Sequence, residues 1–197
     1  MSEKMKKTIF LDRDGTINIE KEYLYKIEDF EFEAGVLDAL KIFKELNYQV
    51  LVVTNQSGIA RGYYDEISLK KLNDYMMGII EKNGGKVEHC YYCPHHSEKG
   101  IGSYKVQCTC RKPLPGLLLN GIEDYNVNIS KSFMIGDKIS DIGAGINAGI
   151  QPILVKTGYG IKTISENHIE IPIYENLLEF ALELKSKEEK LLYRKEY

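Results

Sequence analysis

The sequence predicts an α/β fold, a three-layer sandwich in which helices cover both faces of a central parallel sheet. Short apolar runs alternate along the chain with segments of helical periodicity, and polar residues follow three of the apolar runs. Strands that alternate with helices are joined by crossovers, so neighbouring strands run parallel. At 197 residues the chain has the length of one domain, and we expect a single domain over residues 1–197.

The individual elements of this Rossmann-like arrangement follow from apolar spacing and capping residues. Five buried strands are predicted at 8–11, 49–53, 86–92, 132–135 and 152–155. Helices are predicted at 34–47 and at 175–190, the latter with a charged tail. Three more are predicted between them: one that begins after an N-cap at Asp65, one that begins at Pro115, and one that contains Ile142 and ends at Gly149.

Composition excludes several classes of function. The net charge of −3 argues against broad binding to nucleic acid or to an anionic membrane, which both favour a basic surface. No apolar run approaches the roughly 20 residues of a membrane helix, and the polar, basic start at 1–7 does not fit a signal peptide. We therefore expect a cytoplasmic protein, and a domain of this size is expected to be a monomer.

Polar residues follow three of the predicted strands, at the sheet edge where ligands of parallel sheets bind. Asp12, Asp14 and Gly15 follow the first strand, and Asp137 follows the fourth, with Asp141 one helical turn later. The second strand is followed by hydroxyl and amide side chains, namely Thr54, Asn55, Gln56 and Ser57. Acids from two strands and donors from a third would meet at one edge.

This set of residues suits the hydrolysis of a phosphate ester. A phosphate dianion repels an attacking carboxylate, and a divalent cation removes that repulsion. Mg²⁺ prefers oxygen ligands, so carboxylates and a carbonyl are sufficient to hold it. Asp12 can then form an aspartyl-phosphate while Asp14 supplies a proton to the leaving group. Thr54, Asn55 and a lysine can stabilise the phosphoryl oxygens.

A cysteine-rich loop interrupts the regular pattern between residues 93 and 116. Cys93 with His95 and Cys108 with Cys110 form two chelating pairs, which suit tetrahedral zinc. Spacing alone leaves two alternatives open, because Cys90 with Cys93 makes an equally good first pair and His96 could replace His95. We interpret the metal as a structural clamp for a loop too polar to fold alone.

At these residues the sequence resembles the haloacid dehalogenase-like (HAD-like) phosphatases. The matching segments are 10–16, 53–55 and 136–141. The resemblance implies that Asp12 is the nucleophile and that Asp14 is the general acid and then the general base. It also implies Mg²⁺ held by Asp12, the Asp14 main-chain carbonyl and Asp137, with Asp141 behind them. No large cap domain is expected.

Segments 54–62 and 108–113 narrow the resemblance to the heptose bisphosphate phosphatase branch, which acts on the C7 phosphate in ADP- or GDP-heptose precursor synthesis. It implies that Lys112 and Thr54 stabilise the phosphoryl group. The zinc ligands that it implies are Cys93, His95, Cys108 and Cys110, in a loop of about 93–110. The substrate contacts that it implies are Glu20, Lys21, Glu22, Tyr23, Thr54, Asn55, Gln56, Ser57, Arg111, Lys112 and Lys138. One departure is Glu22, where the branch usually has glycine.

Two other functions fit parts of the sequence. Histidinol-phosphate phosphatases share the motifs and a similar zinc loop, and Glu20 or Glu22 would suit their cationic substrate. A non-catalytic zinc module that binds nucleic acid or protein is the alternative of another class, supported by the Cys/His loop and the neighbouring Arg111 and Lys112. The acidic balance and the complete set of acids argue against that module.

Overall fold

A computed structural model describes residues 5–196 and contains a six-stranded, fully parallel sheet. The strands are β1 (Thr8–Leu11), β2 (Gln49–Asn55), β3 (His89–Cys93), β4 (Phe133–Gly136), β5 (Gln151–Val155) and β6 (Ile173–Tyr174). Their spatial order is β3-β2-β1-β4-β5-β6, so the direction of winding reverses between β1 and β4. Such a switch point is where open α/β sheets bind their ligands.

Seven α-helices connect and flank these strands within the described part of the chain. They are α1 (Val36–Glu45), α2 (Ser57–Ala60), α3 (Glu66–Lys82), α4 (Gly116–Asp124), α5 (Ile139–Asn147), α6 (Gly160–Glu166) and α7 (Leu177–Glu196). No helix between residues 5 and 196 combines the length and the apolar character that crossing a membrane requires.

Side chains of β1 alternate between two separate cores. Ile9 and Leu11 point into a core formed with α1, α3 and α7, whereas Phe10 points into a core formed with α4 and α5. This alternation follows from the two-residue period of a strand, and it buries both faces of the sheet. The predicted three-layer α/β fold is therefore confirmed.

The longer elements lie close to their predicted positions. β1 has the predicted bounds, and Asp65 caps α3 by accepting a hydrogen bond from the Ser68 amide at 2.7 Å. The third strand was expected at 86–92 but spans His89–Cys93, because Lys86 to Glu88 lie before the ladder begins. Three elements of two to seven residues, α2, α6 and β6, were not predicted because they are too short to show a periodic pattern. Residues 1–4 of the polar start lie outside the described residues.

Candidate active site

Three buried aspartates meet at the switch point of the sheet. Asp12 follows β1, Asp137 follows β4, and Asp141 lies in the first turn of α5. One carboxylate oxygen from each lies within 4.8 Å of the others. Gly15 permits this packing, since a Cβ atom there would come within 2.3 Å of Asp137 Oδ2. An all-oxygen set of this kind suits Mg²⁺.

Lys112 provides a buried positive charge between two of these acids. Its Nζ donates to Asp12 Oδ1 at 2.8 Å and to the Val53 carbonyl at 2.7 Å, and it lies 2.7 Å from Asp141 Oδ1. Burial alone would lower the pKa of Lys112, but the two carboxylates outweigh burial and raise it. The ammonium is therefore held charged beside Asp12.

Asn55 fixes the main chain of Lys112. The Asn55 amide donates to the Lys112 carbonyl at 3.0 Å, and its side-chain oxygen accepts from the Lys112 amide at 3.0 Å. The sequence prediction had Asn55 donate to the phosphoryl group. The structure uses this side chain to position Lys112, which leaves the Asn55 main-chain amide for any contact with substrate.

Lys138 marks a point where three predicted metal ligands converge. Its Nζ lies 2.9 Å from the Asp14 main-chain carbonyl, 3.2 Å from Asp137 Oδ1 and 3.6 Å from Asp12 Oδ2. These are the oxygens expected to hold Mg²⁺. Because they already surround one positive charge, their geometry and chemistry fit a cation.

The protonation of Asp12 and Asp137 reflects opposite balances of burial and charge. Burial would raise the pKa of Asp12, but the Lys112 and Lys138 ammonium groups outweigh it and bring that pKa below its ordinary value. The pKa of Asp137 is raised to about 8, chiefly by burial. The Lys138 ammonium opposes this rise, and the neighbouring carboxylates of Asp12 and Asp141 add to it. Of these two acids, Asp12 is therefore the one held ionised, as a nucleophile must be.

Arg13, which the sequence reasoning overlooked, holds the side chain of Asp14. Its fully buried guanidinium donates to both Asp14 oxygens at 2.9–3.0 Å. Gln56 donates to Asp14 Oδ2 at 2.9 Å and to Thr54 Oγ1 at 2.9 Å, and Tyr64 donates to the Gln56 oxygen at 2.5 Å. Gln56 therefore orients the predicted general acid. A charged residue between two aspartates was the available signal for Arg13.

An open cavity of about 370 Å³ lies above these groups. Ten of the eleven predicted substrate residues line it, and they are Glu20, Glu22, Tyr23, Thr54, Asn55, Gln56, Ser57, Arg111, Lys112 and Lys138. The remaining one, Lys21, pairs instead with Glu31 at 2.5 Å and is absent from the lining. Tyr64, Ser140 and Tyr159 also line the cavity and were not predicted. Tyr64 and Tyr159 lie outside the matching segments, and Ser140 lies inside one in which only the acids and Lys138 were given roles.

The segment at the mouth of the cavity has an unusual backbone. Glu22 and Tyr23 both have positive φ values, 45° and 51°, which L-residues other than glycine rarely adopt. Glycine adopts such a φ freely, which fits the glycine that the resemblance implied before this tyrosine. In this chain Glu22 adopts it at the cost of backbone strain.

A second cluster joins the two ends of the cysteine-rich loop. The Sγ atoms of Cys108 and Cys110 lie 3.6 and 3.2 Å from that of Cys93. His95 Nδ1 lies 3.8 Å from Cys93 Sγ and 3.4 Å from Cys110 Sγ. These spacings are close to the roughly 3.8 Å edge of a tetrahedral zinc–sulfur site and exceed the roughly 2.0 Å of a disulfide.

The two alternatives left open by spacing lie elsewhere. Cys90 points toward α3, where its sulfur lies 3.7 Å from that of Met77. His96 Nδ1 accepts hydrogen bonds from the amides of Glu98 and Lys99 at 3.2–3.3 Å. The cluster among residues 5–196 contains Cys93, His95, Cys108 and Cys110. These four are the ligands that the sequence resemblance implied.

A carboxylate held between lysines beside a cation site, at the switch point of a parallel sheet, defines a phosphohydrolase of the HAD-like class. A family model described as HAD-hydrolase-like matches residues 109–177. The D-glycero-β-D-manno-heptose-1,7-bisphosphate 7-phosphatase of Haemophilus influenzae is 46% identical over 155 residues, 78% of this chain and 84% of that protein. Its counterpart in Escherichia coli K12 is 40% identical over 160 residues, 81% of this chain and 84% of that protein.

Solved structures give the same relationship. A crystal structure of D,D-heptose 1,7-bisphosphate phosphatase from B. bronchiseptica, complexed with magnesium and phosphate, has a TM-score of 0.83 and 33% identity. The match covers 92% of this chain and 99% of that one. The chain belongs to the D-glycero-β-D-manno-heptose-1,7-bisphosphate 7-phosphatase family of HAD-like hydrolases. The resemblance seen in the sequence is confirmed, and the chain is an enzyme rather than a non-catalytic zinc module.

Proposed function

We propose that this enzyme removes the C7 phosphate from D-glycero-β-D-manno-heptose 1,7-bisphosphate, with Asp12 as the nucleophile. The observation that carries this proposal is the buried Asp12 carboxylate, held ionised beside Lys112 at the floor of an open cavity. The substrate follows from the names of the relatives described above. A small sugar bisphosphate is thus the expected ligand.

The reaction proceeds in two displacements. Asp12 Oδ1, 2.8 Å from Lys112 Nζ, attacks phosphorus, and the bond from phosphorus to the C7 oxygen breaks while Asp14 gives that oxygen a proton. A water molecule then attacks the phosphorus of the aspartyl-phosphate and loses a proton to Asp14. Inorganic phosphate leaves, and Asp12 regains its carboxylate.

Asp12, the Asp14 carbonyl and Asp137 would hold Mg²⁺, which supplies positive charge against the dianionic phosphoryl group. Lys112 adds a second fixed positive charge from the opposite side of Asp12. The Thr54 hydroxyl, buried and lining the cavity, is placed to donate to a phosphoryl oxygen while it accepts from Gln56. These groups stabilise the charge that the transition state spreads over the phosphoryl oxygens.

Zinc in the second cluster would have a structural role. Cys93 ends β3, whereas Cys108 and Cys110 immediately precede Arg111 and Lys112. A metal bound there would fix the start of the segment that carries Lys112 into the active site. The four unpaired thiols of the chain fit a reducing compartment such as the cytoplasm.

The role of Asp12 is tested by Asp12→Asn. We expect phosphate release to fall by at least about 10⁴-fold, the scale seen when a nucleophile is removed, with the thermal unfolding transition retained. Asp38→Asn, an exposed acid on α1, is the matched control and should keep full activity. Release that persists in Asp12→Asn would contradict the covalent mechanism.

The substrate is tested by steady-state rates on the α and β anomers of the heptose bisphosphate and on histidinol phosphate. We expect the highest kcat/KM with the β anomer of the bisphosphate. Glu20, the acid that would suit a cationic amine, already pairs with Lys138 at 3.1 Å, which disfavours histidinol phosphate. A preference for histidinol phosphate would overturn the substrate assignment and leave the reaction chemistry intact.

A further inference from the structure

Arg61 carries a positive charge that nothing within residues 5–196 neutralises. Its side chain forms no hydrogen bond and no ion pair there, and its Nε is shielded from solvent without a partner. Removing even part of a guanidinium from water without a carboxylate partner is costly, because charges leave water only when they are compensated. Such an arginine is suited to an anionic ligand.

The fold places Arg61 beside the active-site cavity, next to residues that line it. It directly follows α2, whose Ser57 lines that cavity. The Arg61 guanidinium lies 5.6 Å from the ring centroid of Tyr23, another lining residue, and Tyr63 packs edge-on against that ring at 4.7 Å. The strained turn at Tyr23 therefore holds the aromatic ring on which Arg61 rests.

Arg111 provides a second guanidinium at the same place. Its Nη1 donates to the His95 carbonyl at 3.4 Å, and the described residues offer it no carboxylate. Arg111 lines the active-site cavity, as does Tyr23, whose ring lies against the Arg61 guanidinium. The chain has a net charge of −3, yet it keeps two unpaired arginines together at the mouth of this site.

We propose that Arg61 joins Arg111 in binding the second phosphate of the substrate, the one that is not hydrolysed. Guanidinium groups form paired, charge-assisted hydrogen bonds with phosphate oxygens, and two of them match a dianion in charge. Lys112 and the acid cluster take the reacting phosphate on the cavity floor, while the two arginines take the other at the lip. This inference rests on the proposed function, because only a bisphosphate presents a second phosphate.

The test compares two substrates in Arg61→Met, Arg61→Lys and the wild type. The substrates are the heptose 1,7-bisphosphate and the heptose 7-phosphate, which lacks the distal phosphate. For Arg61→Met we expect kcat/KM to fall roughly 10- to 100-fold on the bisphosphate, mostly through KM, and to change less than about 2-fold on the monophosphate. Arg61→Lys keeps the charge without the paired donors, so its kcat/KM on the bisphosphate should lie between those of the wild type and Arg61→Met.

Lys105→Met removes an exposed charge from the cysteine-rich loop and is the control, with no change expected on either substrate. Equal losses on both substrates in Arg61→Met would show that Arg61 only supports the Tyr23 turn, which overturns the inference. An unchanged preference for the bisphosphate in both Arg61 variants would also overturn it while the proposed function stands. A wild type that does not prefer the bisphosphate would overturn both.

Discussion

Charged side chains are paired on the floor of the active-site cavity, whereas at its mouth two arginines lack acidic partners among the described residues. On the floor, Asp12, Lys112 and Asp141 form a buried chain of ion pairs, and every charge there has a partner. At the mouth, Arg61 and Arg111 have no acidic partner among residues 5–196, and Glu22 lies in a strained backbone conformation. The difference indicates that the floor is preorganised for the reaction, whereas the mouth is completed by the substrate.

The elements that build the two regions explain this contrast. On the floor, Asp12 and Asp137 follow β1 and β4, whose backbones are fixed by the sheet. Lys112 reaches the floor from the cysteine-rich loop, and Asn55 at the end of β2 holds its main chain. The mouth is carried by the turn at 20–23 and the cysteine-rich loop, which have little regular structure. Sites on rigid strands suit positioned catalysis, and loops suit variation in what is bound.

Lys112→Met should have the largest effect, because it removes the buried ammonium that pairs with both Asp12 and Asp141. We expect activity to fall by about 10³-fold or more and the free energy of unfolding to fall by about 3–5 kcal/mol. Denaturant titration and steady-state rates measure the two losses. Lys156→Met breaks the more exposed Lys156–Glu175 pair and should cost less than about 1 kcal/mol. Equal losses of stability in the two variants would contradict this account of the floor.

Cys108→Ser should disturb the cysteine-rich loop, which carries Arg111 at the mouth and leads directly into Lys112. We expect the bound zinc to be lost and the loop at 93–110 to become accessible to protease, because a structural metal stabilises the segment that it joins. kcat/KM on the bisphosphate should fall by about 10-fold or more. Cys90→Ser is the control, since Cys90 packs on Met77 and should keep one zinc per chain. Full retention of zinc and activity in Cys108→Ser would contradict the structural role of the zinc.

More of the residues on the cavity floor than at its mouth could be predicted from the sequence. Asp12, Asp14 and Asp137 follow buried strands, so the parallel topology alone predicted that they would meet. The roles of Asn55 and Gln56 were not predictable, because an amide that orients Lys112 or Asp14 looks in sequence like one that binds substrate. Arg61 was part of a matching segment, but only the structure shows that it lacks a carboxylate partner in the described part of the chain.

Lys138→Gln tests the cation site on the cavity floor, because it removes the ammonium that lies among the oxygens expected to hold Mg²⁺. We expect Mg²⁺ to bind roughly 5- to 20-fold more tightly, since the competing contacts and the repulsion between like charges are both lost. Calorimetric titration of the protein with MgCl₂ in the absence of substrate measures this affinity. Weaker binding in the variant would show that Lys138 supports the metal site instead of competing for it.

Glu22→Gly should have the smallest effect, and it should be stabilising. Glycine adopts the positive φ of this position freely, so we expect a gain of about 0.5–1 kcal/mol in the free energy of unfolding. Glu28→Gly, at an exposed position with ordinary φ, should instead lose stability. Thermal denaturation of both variants gives the comparison, and a destabilised Glu22→Gly would mean that the turn carries no strain.

The account depends most on Asp12 as the attacking group, and trapping the intermediate tests it directly. Enzyme mixed with ³²P-labelled substrate and quenched with acid within milliseconds should carry the label on the peptide that contains Asp12. The label should disappear in alkali, as an acyl phosphate does, and it should be absent in Asp12→Asn. Label on another peptide, or rapid turnover in which no labelled enzyme forms, would contradict the mechanism.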